Sequence, residues 1–234
     1  MNAHLHLSCL YIITENNKEL AETYFNIAVI IKDRLNSSKS AISPDSDDDS
    51  DANVCIKYLL EAHKISPCNI DILINLAEIN RMLDRHKDAL GYIEIALKIS
   101  NKDYRVYYEG FLIYEEIGDY YTAKEMMRVC LILNVSFVKG YNALGNLMRK
   151  EKMHDMAIEL FEVALSREPN NITVLNNYAN CYFEMGNKKR AKEVYLQAYN
   201  IDNNQYEVNC NLSIIYKKEC KNFYSNFKII MTQQ

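Results

Sequence analysis

The stretch Val138–Asn171, VKGYNALGNLMRKEKMHDMAIELFEVALSREPNN, contains the pattern that decides the fold. Two of its small residues, Ala157 and Ala164, belong to series that return every 34 residues along the chain. A fixed period of about 20 to 50 residues is the sequence signature of a repeat architecture. The two series are Ala89, Ala123, Ala157 and Ala191, and Ala62, Ala96, Cys130, Ala164 and Ala198.

Each period contains two segments with helical spacing. After Ile172, apolar and small residues recur three or four positions apart up to Gly186, which suits a helix C-terminus. A second stripe follows at Ala191, Tyr195 and Ala198. Only six glycines and three prolines occur in 234 residues, which disfavours a turn-rich β-fold. We therefore predict that one repeat is a pair of antiparallel helices.

This unit resembles the tetratricopeptide repeat. In Val138–Asn171 the resemblance rests on a large aromatic residue, a Leu-Gly pair, two alanines, a second aromatic residue and a proline: Tyr141, Leu144-Gly145, Ala157, Phe161, Ala164 and Pro169. The resemblance implies an all-α fold, an α-solenoid in which antiparallel helix pairs wind into a right-handed superhelix. It also implies a concave face lined by the first helix of every repeat.

The repeat frame divides the chain into a short N-terminal segment, residues 1–19, and about six repeats over residues 20–232. The N-terminal segment reads as a partial repeat or a cap. The sixth repeat is incomplete, and its apolar edge is expected to dock a further repeat or another subunit. The repeats span residues 20–69, 70–103, 104–137, 138–171, 172–205 and 206–232.

The first repeat is interrupted by a Ser/Asp-rich stretch at residues 36–52. This stretch is nearly devoid of apolar residues, so we predict a disordered insertion in the turn between the two helices. Ser43 precedes a proline and Ser46 lies three residues before Asp49, and both are candidate phosphorylation sites. The alternative is a solvated loop that is not modified.

Polar residues on the predicted first helices form the candidate binding face. Asn26, Asn75, Asn177 and Asn211 fall at one repeat position, which resembles the asparagine row in the repeat domain of O-linked N-acetylglucosamine transferases. In that family the side-chain amides hold a peptide backbone. The alternative is that asparagine simply caps or solvates these helices. The full candidate set is Asn26, Asn75, Lys139, Asn142, Asn146, Arg149, Asn176, Asn177, Asn180 and Asn211.

The two-carboxylate clamp of chaperone-binding repeats fits less well. That groove needs Lys and Arg side chains at two first-helix positions, because a C-terminal carboxylate requires charge-assisted partners. The sixth repeat instead places Glu207 there, ahead of Asn211. We therefore do not expect this chain to capture a chaperone tail.

No catalytic constellation is visible in the sequence, and we predict no enzyme activity, cofactor or metal site. There is no Gly-rich phosphate loop or G-x-S-x-G motif, and the seven cysteines form no C-x-x-C pair. We expect those cysteines to be reduced. A net charge of −4 offers no basic footprint for nucleic acid, and no stretch is long and apolar enough for membrane insertion.

Two functions from different classes remain. The first is a protein–protein interaction scaffold that binds an extended peptide or a helix in its groove, inside a larger complex. The second is a substrate-docking or regulatory segment of a larger enzyme, such as a glycosyltransferase of the family named above, whose catalytic domain lies outside this chain. We expect a cytoplasmic protein, with nuclear or ciliary placement as alternatives.

Overall fold

The computed structural model describes residues 15–38 and 51–217, and the regular structure in these two ranges is helical. The N-terminal residues 1–14, residues 39–50 with Ser43 and Ser46, and residues 218–234 with the predicted apolar edge lie outside the described residues. The prediction of an all-α, α-solenoid fold built from helix pairs is confirmed. The helices are α1 (Glu15–Ser38), α2 (Asp51–Ile65), α3 (Ile70–Met82), α4 (His86–Ile99), α5 (Tyr104–Ile117), α6 (Tyr120–Leu133), α7 (Val138–Lys150), α8 (His154–Arg167), α9 (Ile172–Glu184), α10 (Lys188–Ile201) and α11, described over 206–217.

The helices fall into two compact units, which meet in the sequence between Asn134 and Val135. In unit 1 the pairs are α1/α2, α3/α4 and α5/α6, and each pair packs on the next through α2 against α3 and α4 against α5. In unit 2 the pairs α7/α8 and α9/α10 stack through α8 against α9. First helices also touch first helices, α1 with α3, α3 with α5, and α7 with α9.

The two small-residue series lie in the buried core between the packed helices. All nine of these side chains are completely buried. A larger side chain at such a crossing would push the two helices apart, because protein interiors are already close-packed. The periodicity that predicted the fold therefore marks its helix crossings.

Helix starts repeat with the same period. The residues that precede α3, α5 and α9 are Asn69, Asp103 and Asn171, and each side chain accepts a hydrogen bond from a backbone N–H in the first turn. Asp119 and Asn187 cap α6 and α10 in the same way. Such caps pair backbone donors that the helix itself cannot satisfy.

Met153 occupies the capping position of α8 without offering an acceptor. Its backbone angles, φ −88° and ψ 63°, are close to those of Asp119, φ −80° and ψ 72°. We expect Met153→Asp to raise the free energy of unfolding by about 1 kcal/mol, because the carboxylate gains a backbone donor. Chemical denaturation checks this, with Met153→Ala as the control. Equal stability of the two variants would contradict the capping argument.

The turns inside the helix pairs share one left-handed position. Asp84, Gly118, Lys152 and Gly186 are spaced 34 residues apart and have φ values of 56°, 86°, 66° and 83°. Glycine adopts this conformation without steric cost, whereas other residues do not. Two of the four turns place glycine at this position, and the other two place Asp84 and Lys152 there.

Helical structure extends into both ends of the predicted insertion. Helix α1 continues to Ser38 and helix α2 begins at Asp51, so the prediction of disorder for residues 36–52 is wrong for the five residues at its two ends. Ala52 is 1% exposed and packs in the core with Leu59. Burial of this side chain explains why the helix begins earlier than the polar composition suggests. Helix α1 also starts at Glu15, inside the predicted N-terminal segment.

Candidate peptide-binding surface

Five asparagines on the first helices of unit 2 form two hydrogen-bonded groups, here together called the amide row: Asn142 with Asn177, and Asn176 and Asn180 with Asn211. Asn177 Nδ2 donates to Asn142 Oδ1 at 2.9 Å. Asn211 Nδ2 donates to Asn176 Oδ1 at 3.1 Å and to Asn180 Oδ1 at 3.2 Å. The row therefore connects α7 with α9 and α9 with α11.

Two further contacts fix the row. The Tyr195 hydroxyl, which reaches across from α10, donates to Asn180 Oδ1. Asn176, which is buried, donates to a carboxylate oxygen of Glu207 at 3.2 Å. Burial raises the pKa of Tyr195, so its hydroxyl keeps the proton that it donates.

The amide row keeps unused hydrogen-bonding capacity. A side-chain amide has two N–H donors and an oxygen that can accept two bonds. Within the described part of the chain, both N–H groups of Asn142 and of Asn180 lack a partner, and so do one N–H of Asn177 and the side-chain oxygens of Asn177 and Asn211. The row thus presents oriented donors and acceptors together.

Two more predicted residues on α7 have unpaired atoms. Arg149 forms an ion pair with Glu184 on α9, but its Nε is buried without a partner. Asn146 Oδ1, one turn earlier, is also buried without a partner. Lys139, at the start of α7, is exposed. The structure places all three on a helix of the amide row.

Unit 1 has a different first-helix surface, in which charges pair with each other. Lys32 Nζ lies 2.6 Å from Glu78 Oε2 and also donates to Asn75 Oδ1. The predicted site residue Asn75 is therefore held by a lysine, and its Nδ2 donates to the Asp71 backbone oxygen at 2.7 Å. Asn26 is exposed on α1. The structure thus does not place these two asparagines in a shared amide row.

Arg81 pairs with two carboxylates in unit 1. Its Nε donates to Glu109 and its Nη1 to Glu116, both at 2.6 Å, and His86 Nε2 lies 3.2 Å from Glu116. The side chain of Glu109 is only 7% exposed. Burial raises the pKa of Glu109, and Arg81 partly opposes this. For Arg81, burial acts to lower the pKa, but Glu109 and Glu116 raise it overall.

Sequence reasoning missed these charge pairs, although a signal was present. In three pairs between neighbouring first helices, oppositely charged residues lie one repeat apart or one repeat plus one residue apart. The spacing is 34 residues for the pair Asp71 and Arg105, and 35 residues both for Arg81 and Glu116 and for Arg149 and Glu184.

Three cysteines in the described ranges are buried and unreactive. Cys55, Cys130 and Cys181 are buried free thiols, and burial raises their pKa values to about 11, 12 and 11. They stay protonated at neutral pH and are poor nucleophiles. Cys68 is disulfide-bonded, so the expectation of reduced thiols is wrong for this residue. In the described ranges, no group of three or more His, Cys, Asp or Glu could hold a metal ion.

None of the described helices combines the length and the apolar run that crossing a bilayer requires.

Comparison with known sequences supports tetratricopeptide repeats. Residues 148–208 match the tetratricopeptide repeat family model. The chain is 26% identical over 106 residues to Hsp70-Hsp90 organizing protein 2 of Arabidopsis thaliana. The matched stretch covers 45% of this chain and 19% of that protein. It is 28% identical over 158 residues to the uncharacterized protein ycf37 of Guillardia theta, covering 63% of this chain and 89% of that protein. The chain thus spans about a fifth of the organizing protein's length.

Solved structures agree on the fold. The MamA protein superposes with a TM-score of 0.58 and 19% identity, covering 79% of this chain and 93% of that chain. YrrB, described as a TPR protein with an unusual peptide-binding site, superposes with a TM-score of 0.55 and 17% identity, covering 83% and 92%. At these identities the similarity shows the α-solenoid fold alone.

Proposed function

We propose that this chain is a protein–protein interaction scaffold in a cytoplasmic complex, and that unit 2 binds an extended peptide across α7, α9 and α11. The observation that carries this proposal is the unused hydrogen-bonding capacity of the amide row, Asn142, Asn176, Asn177, Asn180 and Asn211. A peptide backbone offers one N–H and one C=O at each residue. It therefore matches a surface that presents both donors and acceptors.

The mutual bonds of the row favour binding. They hold Asn142 and Asn177 in one orientation before a ligand arrives, so less side-chain entropy is lost on association. Amides also bind backbone groups without demanding a particular side chain. We therefore expect tolerance of many peptide sequences along this row.

Asn146 and Arg149 add to the energetic argument. A buried polar atom without a partner costs about 1–3 kcal/mol. Asn146 Oδ1 is such an acceptor and Arg149 Nε is such a donor, one turn apart on α7. A ligand that rearranges their covering side chains and bonds both atoms would recover part of this cost.

Unit 1 is less suitable than unit 2 for binding a peptide. Its corresponding side chains are already engaged in ion pairs, among them Lys32 with Glu78 and Arg81 with Glu109. A peptide would have to break these bonds before forming its own. We therefore assign the peptide to unit 2, with Asn26 and Asn75 outside the contact.

The proposal is tested with a displayed library of random peptides. First helices pack with axes about 8–10 Å apart, so a peptide across three of them spans about 20 Å, or about six extended residues. Peptides of about ten residues selected on the wild-type chain are synthesised, and their affinities are measured in solution. We expect Asn142→Ala/Asn177→Ala to weaken binding about 10-fold, because at least two hydrogen bonds are lost.

The matched control is Asn200→Ala/Asn204→Ala, which removes two exposed amides elsewhere in unit 2. We expect both double variants to keep the wild-type melting temperature, since removing Asn142 and Asn177 together leaves neither without its partner. Equal affinity of the amide-row variant and the wild type would refute the proposal.

Capture of a chaperone's C-terminal carboxylate is the second candidate, favoured by the similarity to Hsp70-Hsp90 organizing proteins. Against it, Glu207 is exposed on α11 beside Asn211, where a carboxylate ligand needs a cation. Comparing each selected peptide with a free and an amidated C-terminus separates the two modes. Equal affinity of both forms supports backbone binding, and loss on amidation supports carboxylate capture.

A further inference from the structure

Three lysines at one end of unit 2 form an exposed group, here called the turn patch: Lys152, Lys188 and Lys189. Lys152 lies in the turn between α7 and α8, and the other two open α10 directly after the turn that follows α9. Within the described residues none of the three forms an ion pair. By contrast, Arg149 is paired with Glu184, and Arg190 is paired with Glu193.

The two turns lie side by side. The ion pair between Arg149 and Glu184 joins the C-terminal ends of α7 and α9, and the turns follow directly after these ends. Since neighbouring first helices pack about 8–10 Å apart, the three ammonium groups are within reach of a peptide segment of a few residues. The amide row lies on the same two helices, about one to two turns before these ends, so the patch flanks the proposed peptide path.

Each of these lysines stands where folding disfavours it. Lys152 has φ 66°, a conformation that strains an L-residue and that Gly118 and Gly186 adopt without strain in other turns. Lys188 and Lys189 lie in the first turn of α10, where the positive end of the helix macrodipole disfavours cations. Departures from local rules at one place are expected at functional sites.

We propose that the turn patch binds acidic side chains of the same peptide whose backbone lies on the amide row. The partner is then an extended segment of another protein with two or three Asp or Glu residues on the flank that faces the helix ends. This inference rests on the proposed function. The amide row binds backbone groups of the peptide, and the turn patch adds a preference for acidic side chains.

The test uses an acidic peptide from the library and its neutral counterpart, in which Asp and Glu are replaced by Asn and Gln. We expect Lys188→Gln/Lys189→Gln to weaken binding of the acidic peptide about 3- to 10-fold, and to leave the neutral peptide unchanged. Raising NaCl from about 50 mM to about 300 mM should weaken the acidic peptide more than the neutral one. The matched control is Lys87→Gln/Lys98→Gln, two exposed lysines of unit 1.

A third variant separates binding from folding. We expect Lys152→Gly to raise the melting temperature, because glycine relieves the left-handed strain, and to weaken the acidic peptide about twofold, because one charge is lost. A loss of affinity with a gain in stability cannot come from unfolding.

The outcomes distinguish the two proposals. If Asn142→Ala/Asn177→Ala weakens binding of both peptides and the lysine variants weaken binding of neither, the turn patch is refuted and the proposed scaffold function is supported. If the amide-row variant binds both peptides as the wild type does, the proposed function itself fails. Equal salt dependence of the acidic and neutral peptides would also overturn the turn patch.

Discussion

Replacing Arg81 with leucine is expected to lower the free energy of unfolding by about 3–5 kcal/mol at neutral pH. The reason is Glu109, whose side chain is 7% exposed and whose carboxylate lies 2.6 Å from Arg81 Nε. Without the guanidinium the carboxylate stays buried with no opposite charge beside it. Urea denaturation of the variant and the wild type measures the difference.

This loss should depend on pH in a defined direction. Burial already raises the pKa of Glu109 above 4.5, and removing Arg81 takes away the charge that opposes this rise. A carboxyl group whose folded pKa is raised favours folding below its unfolded pKa, and this contribution is lost as the pH rises through the folded value. The deficit of the variant should therefore shrink as the pH falls from about 7 to about 4, since Glu109 takes up a proton.

The matched control removes both charges. We expect Arg81→Leu/Glu109→Leu to regain most of the lost stability at neutral pH, because a paired buried charge can be replaced by apolar side chains at little cost. An equal deficit of the single variant at both pH values would show that lost packing, and not the buried charge, is responsible.

Replacing Phe161 with alanine is the second large change, with an expected loss of about 3–5 kcal/mol. Phe161 is completely buried in unit 2 and lies against the backbone of Gly145, across the α7/α8 pair. A methyl group added at Gly145 would stand 2.7 Å from Cε1 of Phe161. We therefore expect Gly145→Ala to destabilise the otherwise unchanged chain by about 1–3 kcal/mol through overpacking.

The two changes should not be additive. Once Phe161 is alanine, the ring that clashes with residue 145 is gone, and Gly145→Ala should be neutral or stabilising because alanine is the better helix former. The double-mutant cycle is measured by chemical denaturation. Additive losses would contradict the close contact between this ring and the α7 backbone.

The repeat period alone was enough to predict the helix pairs. It predicts them because a small residue is required wherever two helices cross closely, so Ala157 and Ala164 return at every crossing and are completely buried. The period also predicts capping and turn positions, since Asn171 and Gly186 have counterparts one or more repeats away. At these positions, the local backbone conformation and the packing of the helices favour the same residue types.

The partners within the candidate site were less predictable. Asn177 and Asn211 share one repeat position, yet Asn211 bonds to Asn176 and Asn180, and Asn177 bonds to Asn142. Neighbouring first helices are staggered, so the contacts join residues 35 or 31 apart instead of 34. A sequence period fixes the position of a residue on its own helix, but the stagger depends on how the helices pack.

The hydrogen-bond partner of Asn75 was also not predictable from its repeat position, for another reason. Its repeat position matches that of Asn177, but Lys32 on α1 occupies its side-chain oxygen. Which residue reaches an amide depends on the long side chains of the neighbouring helix. Asn75 meets a lysine of α1, whereas Asn177 meets Asn142 of α7, so the same repeat position has different surroundings in the two units.

The most direct test of the central claim observes the amides themselves. Each asparagine side-chain NH2 group gives a pair of cross-peaks in a proton–nitrogen-15 correlation spectrum, one for each proton, and these shift when the group forms a new hydrogen bond. On addition of a selected peptide, we predict shifts of the signals of Asn142 and Asn180, whose N–H groups lack partners, with the signal of Asn200 unchanged. Saturating peptide that leaves Asn142 and Asn180 unchanged while other surfaces respond would contradict the account.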